Sequence, residues 1–277
     1  MRVVKLHRNL AHGALLAWAL VTLAACAGAQ PGSGGPSLQS PRPGWQTAPR
    51  HSAGLAPDPV LHRQQAIVQV YAAPTYGWRG RLAVHPWILY KRTGQQQYTR
   101  YDVVGWRAPQ VVQRDYALPD GLWYGARPQV LVEHRGPQVE AMIDRIEQAI
   151  ASYPYADRYR SYPGPNSNTF IAHVGREVPE LRLDLPANAI GKDYRPLGEM
   201  IGRSPTGSGV QASLLGMLGL SLGWEEGVEF NLLGLNFGLD LNRPALRLPF
   251  WGRLGLAEQV VHSHGQETFP TQQGTDD

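Results

Sequence analysis

The sequence predicts an α+β fold, with a small, mostly antiparallel sheet and a few helices, on three observations. Strand-like runs come first: "AIVQVYA" (Ala66 to Ala72), "RLAVHPWILYK" (Arg81 to Lys91) and "YTRYDVVGW" (Tyr98 to Trp106). One strongly amphipathic helical segment follows them. The last third is rich in Gly and Leu and reads as short strands and turns. Strands followed by helices, rather than a regular alternation of the two, favour α+β over a doubly wound sheet. The 277 residues suit one domain with appendages, and no internal repeat is visible.

The N-terminus is read as a targeting segment. Arg2, Lys5 and Arg8 form a basic start, and Ala14 to Ala24 form an apolar run. That run falls short of the about 20 residues that span a bilayer, so it reads as a signal peptide, residues 1–25. It ends in "LAAC", Leu23 to Cys26. This block resembles the lipobox of bacterial lipoproteins, which implies acylation at Cys26 and a membrane-anchored, periplasm-facing envelope protein. Ala27 lacks the Asp that retains some lipoproteins at the inner membrane, which favours the outer membrane. Residues 26–59 are rich in Gly, Pro, Ser and Gln and read as a tether. The domain is expected over 60–257 and a polar tail over 258–277.

Net charge is +4, but the three N-terminal cations leave 23 basic against 22 acidic residues in the rest. A balanced chain with no basic run gives no case for nucleic acid. Cys26 is the single cysteine, so no disulfide, thiolate zinc site or thiol nucleophile is available to the domain.

Within the domain, Arg81–Lys91 and Tyr98–Trp106 form a predicted hairpin around "RTGQQQ". Pro86 argues for an edge position or a bulge. The turn at about Thr93–Gln96 sets His85 opposite roughly Val103, with Asp102 nearby. "GPQVEAMIDRIEQAIASY" then carries Val139, Met142, Ile143, Ile146, Ala149, Ile150 and Tyr153 at helical spacing, closed by Pro154. "TFIAHVGREV" is a second, short helix beginning near Asn168, capped by Asn or Ser and ended by Pro179. "VEFNLLGL" and "FGLDL" are strands around a Gly-containing turn, read as a core hairpin. Val210 to Trp224 is too short for a span and reads as buried or membrane-facing strand and loop.

Several blocks, "YGWRGRLAVHPWI", "PDGLWYG", "YPGPNSNTFIA", "LPANAIGKDY" and "EGVEFNLLGLNFGLD", resemble a bacterial envelope family known as domain of unknown function 3750, over most of Val60 to Gly255. "VHPWILYK" and "NSNTF" are similar to the His strand and nucleophile block of circularly permuted papain-like enzymes, with Ser167 where Cys would stand. That resemblance implies Ser167 as nucleophile, His85 as general base and Asp102 as orienting group. The backbone of Asn166, Asn168 and Thr169 would bind the oxyanion at a helix N-terminus. A Ser there needs a real base, and a Ser in place of Cys also marks inactive relatives. Asn, Ser and Asn are equally the residues of a plain turn and cap.

Other motifs carry less. Lys192 and Asp193 read as a surface ion pair. Glu225, Glu226 and Glu229 lack further ligands at matching spacing for a metal, and "SPTGSG" lacks the Gly-Lys-Ser/Thr ending of a phosphate loop, so no cofactor is expected. The aromatic residues Tyr71, Trp78, Trp87, Trp106, Trp123 and Tyr124 are divided between core and groove. Two functions follow: a hydrolase or acyltransferase acting on peptidoglycan peptides or lipoprotein acyl groups, or a non-catalytic binding or scaffold lipoprotein.

Overall fold

The computed structural model describes residues 44–256 and 261–264. Residues 1–25, Cys26 and most of the C-terminal tail lie outside the described residues. Among the described residues the fold is α+β, built from two sheets and two α-helices.

The first sheet has six strands in the order β13-β5-β1-β2-β3-β4. Its members are β1 (Ile67–Pro74), β2 (Val84–Lys91), β3 (Thr99–Val103), β4 (Val112–Arg114), β5 (Gln129–Arg135) and β13 (Val261–His264). All pairs are antiparallel except β13 with β5. Helices α1 (Val139–Ala151) and α2 (Ser167–Glu177) cover one face. Val68, Val70, Ile88, Val103 and Val132 from the strands meet Ile143, Ile146, Phe170, Ile171 and Val174 from the helices. The predicted periodicity of α1 is the periodicity of this contact: Val139, Met142, Ile143, Ile146 and Ala149 are its buried residues.

The other face carries an aromatic cluster of Tyr71, Trp87, Leu89, Val104 and Trp123. Here the boundary at residue 60 needs correction. Residues from Gly44 onward lie on the domain, because Asp120 accepts hydrogen bonds from Ser52 Oγ and from the N–H groups of Leu55 and Ala56. A Pro- and Gly-rich segment with no core of its own is held by backbone N–H groups, by Ser52 and by Leu55 against the aromatic cluster. The predicted tail is corrected in the same way, since β13 lies within it.

Pro86 is not at a sheet edge. It sits on β2, a central strand, opposite Ala72. The β2–β3 ladder ends at Ile88 opposite Tyr101, so no β3 residue stands opposite Pro86. That register places Asp102, one residue off the expected pairing, on the same face as Trp87 and His85.

The second sheet is a seven-stranded meander, β6 (Ile201–Arg203), β7 (Val210–Leu214), β8 (Leu218–Gly223), β9 (Gly227–Leu232), β10 (Leu235–Asp240), β11 (Ala245–Leu248) and β12 (Gly252–Gly255), paired in sequence order. The predicted hairpin is β9–β10, joined by Leu233-Gly234 with φ of 53° and 79°. Two successive positive φ angles match the twist of a two-residue hairpin turn. The expectation that this hairpin is core is corrected: its Val, Leu and Phe side chains face outward and its polar ones inward. Lys192 and Asp193 are likewise not a surface pair. Both are buried beneath this sheet, Lys192 against Glu229 at 2.6 Å and Asp193 against Gln211 and Asn231.

Candidate active site

A cavity of about 1130 Å³ opens where β2 begins. Its lining includes His85 at the start of β2 and Asn166, Ser167 and Asn168 at the start of α2. His85 comes from the aromatic face of the sheet and Ser167 from the helix on the opposite face. They share a cavity because it lies at the strand end, past which both faces can reach. Trp78, Trp106, Trp123, Tyr124, Tyr159 and Tyr162 form much of the wall, with Arg50, Arg79 and Arg107 among them. Tyr71 and Trp87 are core instead, stacked at 5.5 Å.

The start of α2 is fixed by a capping box. Asn166 Oδ1 accepts from the N–H groups of Asn168 and Thr169, and Thr169 Oγ1 accepts from the Asn166 N–H. Asn166 Nδ2 donates to Ser161 and Ile190 carbonyls, and Thr169 Oγ1 donates to the Gly191 carbonyl. Gly191, at φ 99°, is required: a Cβ there would lie 2.5 Å from Asn166 Nδ2. Asn168 Nδ2 ties the helix to β2 by donating to the Val84 carbonyl at 3.2 Å. This corrects the oxyanion expectation for Asn166, Asn168 and Thr169. Their N–H groups are taken up by the cap, so these residues position the turn. The N–H of Ser167, at the first helical position, is the donor the cap does not use.

Ser167 is buried against the cavity, and its hydroxyl makes no hydrogen bond among the described residues. His85 is 4% exposed and stacks on Trp123, ring centroids 3.7 Å apart and planes 5° from parallel. Its Nε2 faces Asp102 Oδ2 at 3.6 Å, a close electrostatic contact longer than a hydrogen bond. Nδ1 is therefore the ring nitrogen left for the cavity. No hydrogen bond joins His85 to Ser167, a separation that apo active sites often show.

Burial pushes the His85 imidazole below its ordinary value, and the Asp102 carboxylate pulls against that shift without cancelling it. The imidazole is neutral at pH 7. Burial acts to raise the Asp102 carboxyl, but His85 and Arg100 outweigh it and hold it below the usual carboxylate range. Arg100 is the site residue the sequence reading missed. It binds Asp102 Oδ2 at 2.7 Å and lies over the Trp87 ring at 4.2 Å. The signal was present, since residues 100 and 102 share a strand face by alternation.

The three glutamates are engaged elsewhere. Glu225 pairs with Arg182, Glu226 accepts from Thr206 and Ser208, and Glu229 pairs with Lys192 and Arg247. Thr206 and Ser208, from the Ser204–Gly209 loop, thus bind a carboxylate of the chain itself.

The family model described as "Protein of unknown function (DUF3750)" matches residues 65–194. The match covers the first sheet up to β5, both helices and the whole His85–Ser167 region, and it stops short of the second sheet. No curated protein and no solved structure matches the chain.

Proposed function

We propose that this chain, whose residues 65–194 match the DUF3750 family model, is an envelope lipoprotein that hydrolyses or transfers an acyl group, at an amide or ester, through Ser167. The observation that carries the reading is one cavity lined by two groups. One is a neutral, buried His85 backed by Asp102; the other is an unengaged serine at a capped helix start. The order along the chain, His strand, Asp strand, then nucleophile helix, is the order of circularly permuted papain-like enzymes.

In this mechanism Ser167 Oγ attacks the substrate carbonyl while His85 Nδ1 takes the hydroxyl proton. A new C–O bond forms and the carbonyl electrons move to oxygen. The Ser167 N–H, with the positive end of α2 behind it, stabilises that oxyanion. Collapse breaks the bond to the leaving amine or alcohol, which receives the proton from His85. Water, or a second amine or alcohol, then attacks the acyl-serine by the reverse route. Asp102 offsets the charge that builds on His85, and Trp123 fixes the plane of the ring. The aromatic walls suit an acyl chain or a peptide with apolar parts, and the arginines suit a carboxylate. Peptidoglycan peptides and lipoprotein acyl groups both answer to that description.

The test is turnover. The full chain is incubated with peptidoglycan fragments and with lipoprotein or phospholipid esters, and products are read by mass spectrometry. Ser167→Ala and His85→Ala should each abolish product formation while the fold is kept. The acid limb of the rate should lie below pH 6.5, because burial moves the protonation of His85 below its ordinary value. A folded Ser167→Ala chain with full activity refutes the assignment.

A second reading, a binding lipoprotein without chemistry, is favoured by one observation: Arg100 holds Asp102 more closely than His85 does. It predicts that ligands bind the wild-type and Ser167→Ala chains equally and emerge unchanged.

A further inference from the structure

The second sheet is built with its polarity reversed. Its inward side chains include Gln211, Ser221, Glu229, Asn231, Asn236 and Arg247, all buried. Its outward positions form apolar rows in register. Val210, Leu222, Val228, Leu239, Leu246 and Leu254 run side by side across β7 to β12. A second row joins Ala212, Leu220, Phe230 and Phe237. From β7 to β11, no Lys, Arg, Asp or Glu occupies an outward strand position. Strand spacing and rise give a face of about 400 Å², the size at which an exposed apolar patch marks an interaction site.

We infer that this face docks onto the lipid bilayer, at the boundary of headgroups and acyl chains. Four arguments select that occupant. The alternation is that of a lipid-facing sheet, but the strands of four to six residues fall short of the about 9–11 needed to span. The face therefore lies on the bilayer rather than through it. Trp224 and Trp251, both about 70% exposed, lie in the β8–β9 and β11–β12 turns, at opposite strand ends, where an interfacial sheet can place its aromatics. A protein partner would be expected to find hydrogen-bonding groups, roughly one bond per 100–200 Å², and these rows offer no side chain for that; lipid needs none. Finally, the chain outside the described residues fits this placement. Only about 18 residues separate Cys26 from Gly44, a reach of at most about 60 Å when extended. This last argument rests on the lipoprotein reading, while the first three do not. The Cys26–Pro43 and 265–277 segments hold one Leu and one Phe between them, too little to cover the face.

The experiment uses the full chain carrying Leu220→Cys, labelled with nitrobenzoxadiazole, in phosphatidylcholine/phosphatidylglycerol vesicles with acyl-chain nitroxide lipids. Leu239→Cys is a second probe of the face, and Gln95→Cys, on an exposed turn of the first sheet, is the control. Labels at 220 and 239 should be quenched severalfold more strongly than the label at 95. Labels at 220 and 239 as weakly quenched as the one at 95 overturn the proposal. So does a label that is dry but unquenched in a cross-linked dimer, which would assign the face to a second copy. The mass of the same sample reads the lipid on Cys26 separately, so a failed anchor and a failed face are told apart.

Discussion

The two sheets of this domain follow opposite rules. The first buries Val, Ile and Phe between strands and helices and keeps its titratable site at the end of a strand. The second buries Lys192, Asp193, Glu229 and Arg247 and turns Leu, Val and Phe outward. The first is held by apolar burial on its helix-covered face, with the buried Arg100–Asp102 pair on the other, and the second by pairing of charges taken out of water beneath it. Alternation alone does not say which face of a strand is inside. That depends on what the face meets.

The contrast can be broken most sharply at adjacent residues. Glu229→Ala would leave Lys192 and Arg247 buried without their shared carboxylate, so a loss of about 3–5 kcal/mol is expected in urea unfolding. A loss below about 1 kcal/mol would mean that water reaches the inner face. The next effect is on pH. His85, His134 and His173 are all pushed below their ordinary value by burial, and all belong to the first sheet and its helices. The unfolded chain then binds more protons than the folded one below about pH 6.5. The stability they contribute is complete above that pH and is lost as pH falls through their folded values. Unfolding midpoints should drop between pH 7 and 5.5, and less so in His85→Gln; parallel profiles would remove His85 from the account. The smallest effect is expected one residue from Glu229. Phe230→Ser, on the outward face, should change stability in water by no more than about 1 kcal/mol, because the ring is 44% exposed and loses cross-strand neighbours such as Leu220 and Phe237 rather than a buried core contact. A large loss would show that the face is packed.

The sequence carried much of this unevenly. Helix α1 was legible because a single face meets a single sheet, so periodicity and burial coincide. An Asn or Ser cap near Asn168 was legible because those residues have a local hydrogen-bonding reason to stand there, and the structure places the cap at Asn166. His85 and Asp102 were brought near each other by counting back from a turn, one residue off the true register. Arg100 was overlooked although it shares that face. The second sheet was misread because apolar residues are assigned inward by default, and the partners of Lys192 and Asp193 are some 18 to 38 residues away in the chain. Long-range charge pairing leaves no local signature. The ordered Gly44–Pro59 segment was missed for a related reason: its anchor, Asp120, lies more than 60 residues away.

The central claim is that Ser167 is a nucleophile served by His85. Its most direct test is covalent labelling of the full chain with a fluorophosphonate, read by peptide mass spectrometry. The account predicts phosphonylation at Ser167, absent in Ser167→Ala and strongly slowed in a folded His85→Ala chain. A folded wild-type chain that stays unlabelled, or that labels equally in the Ser167→Ala variant, would contradict it.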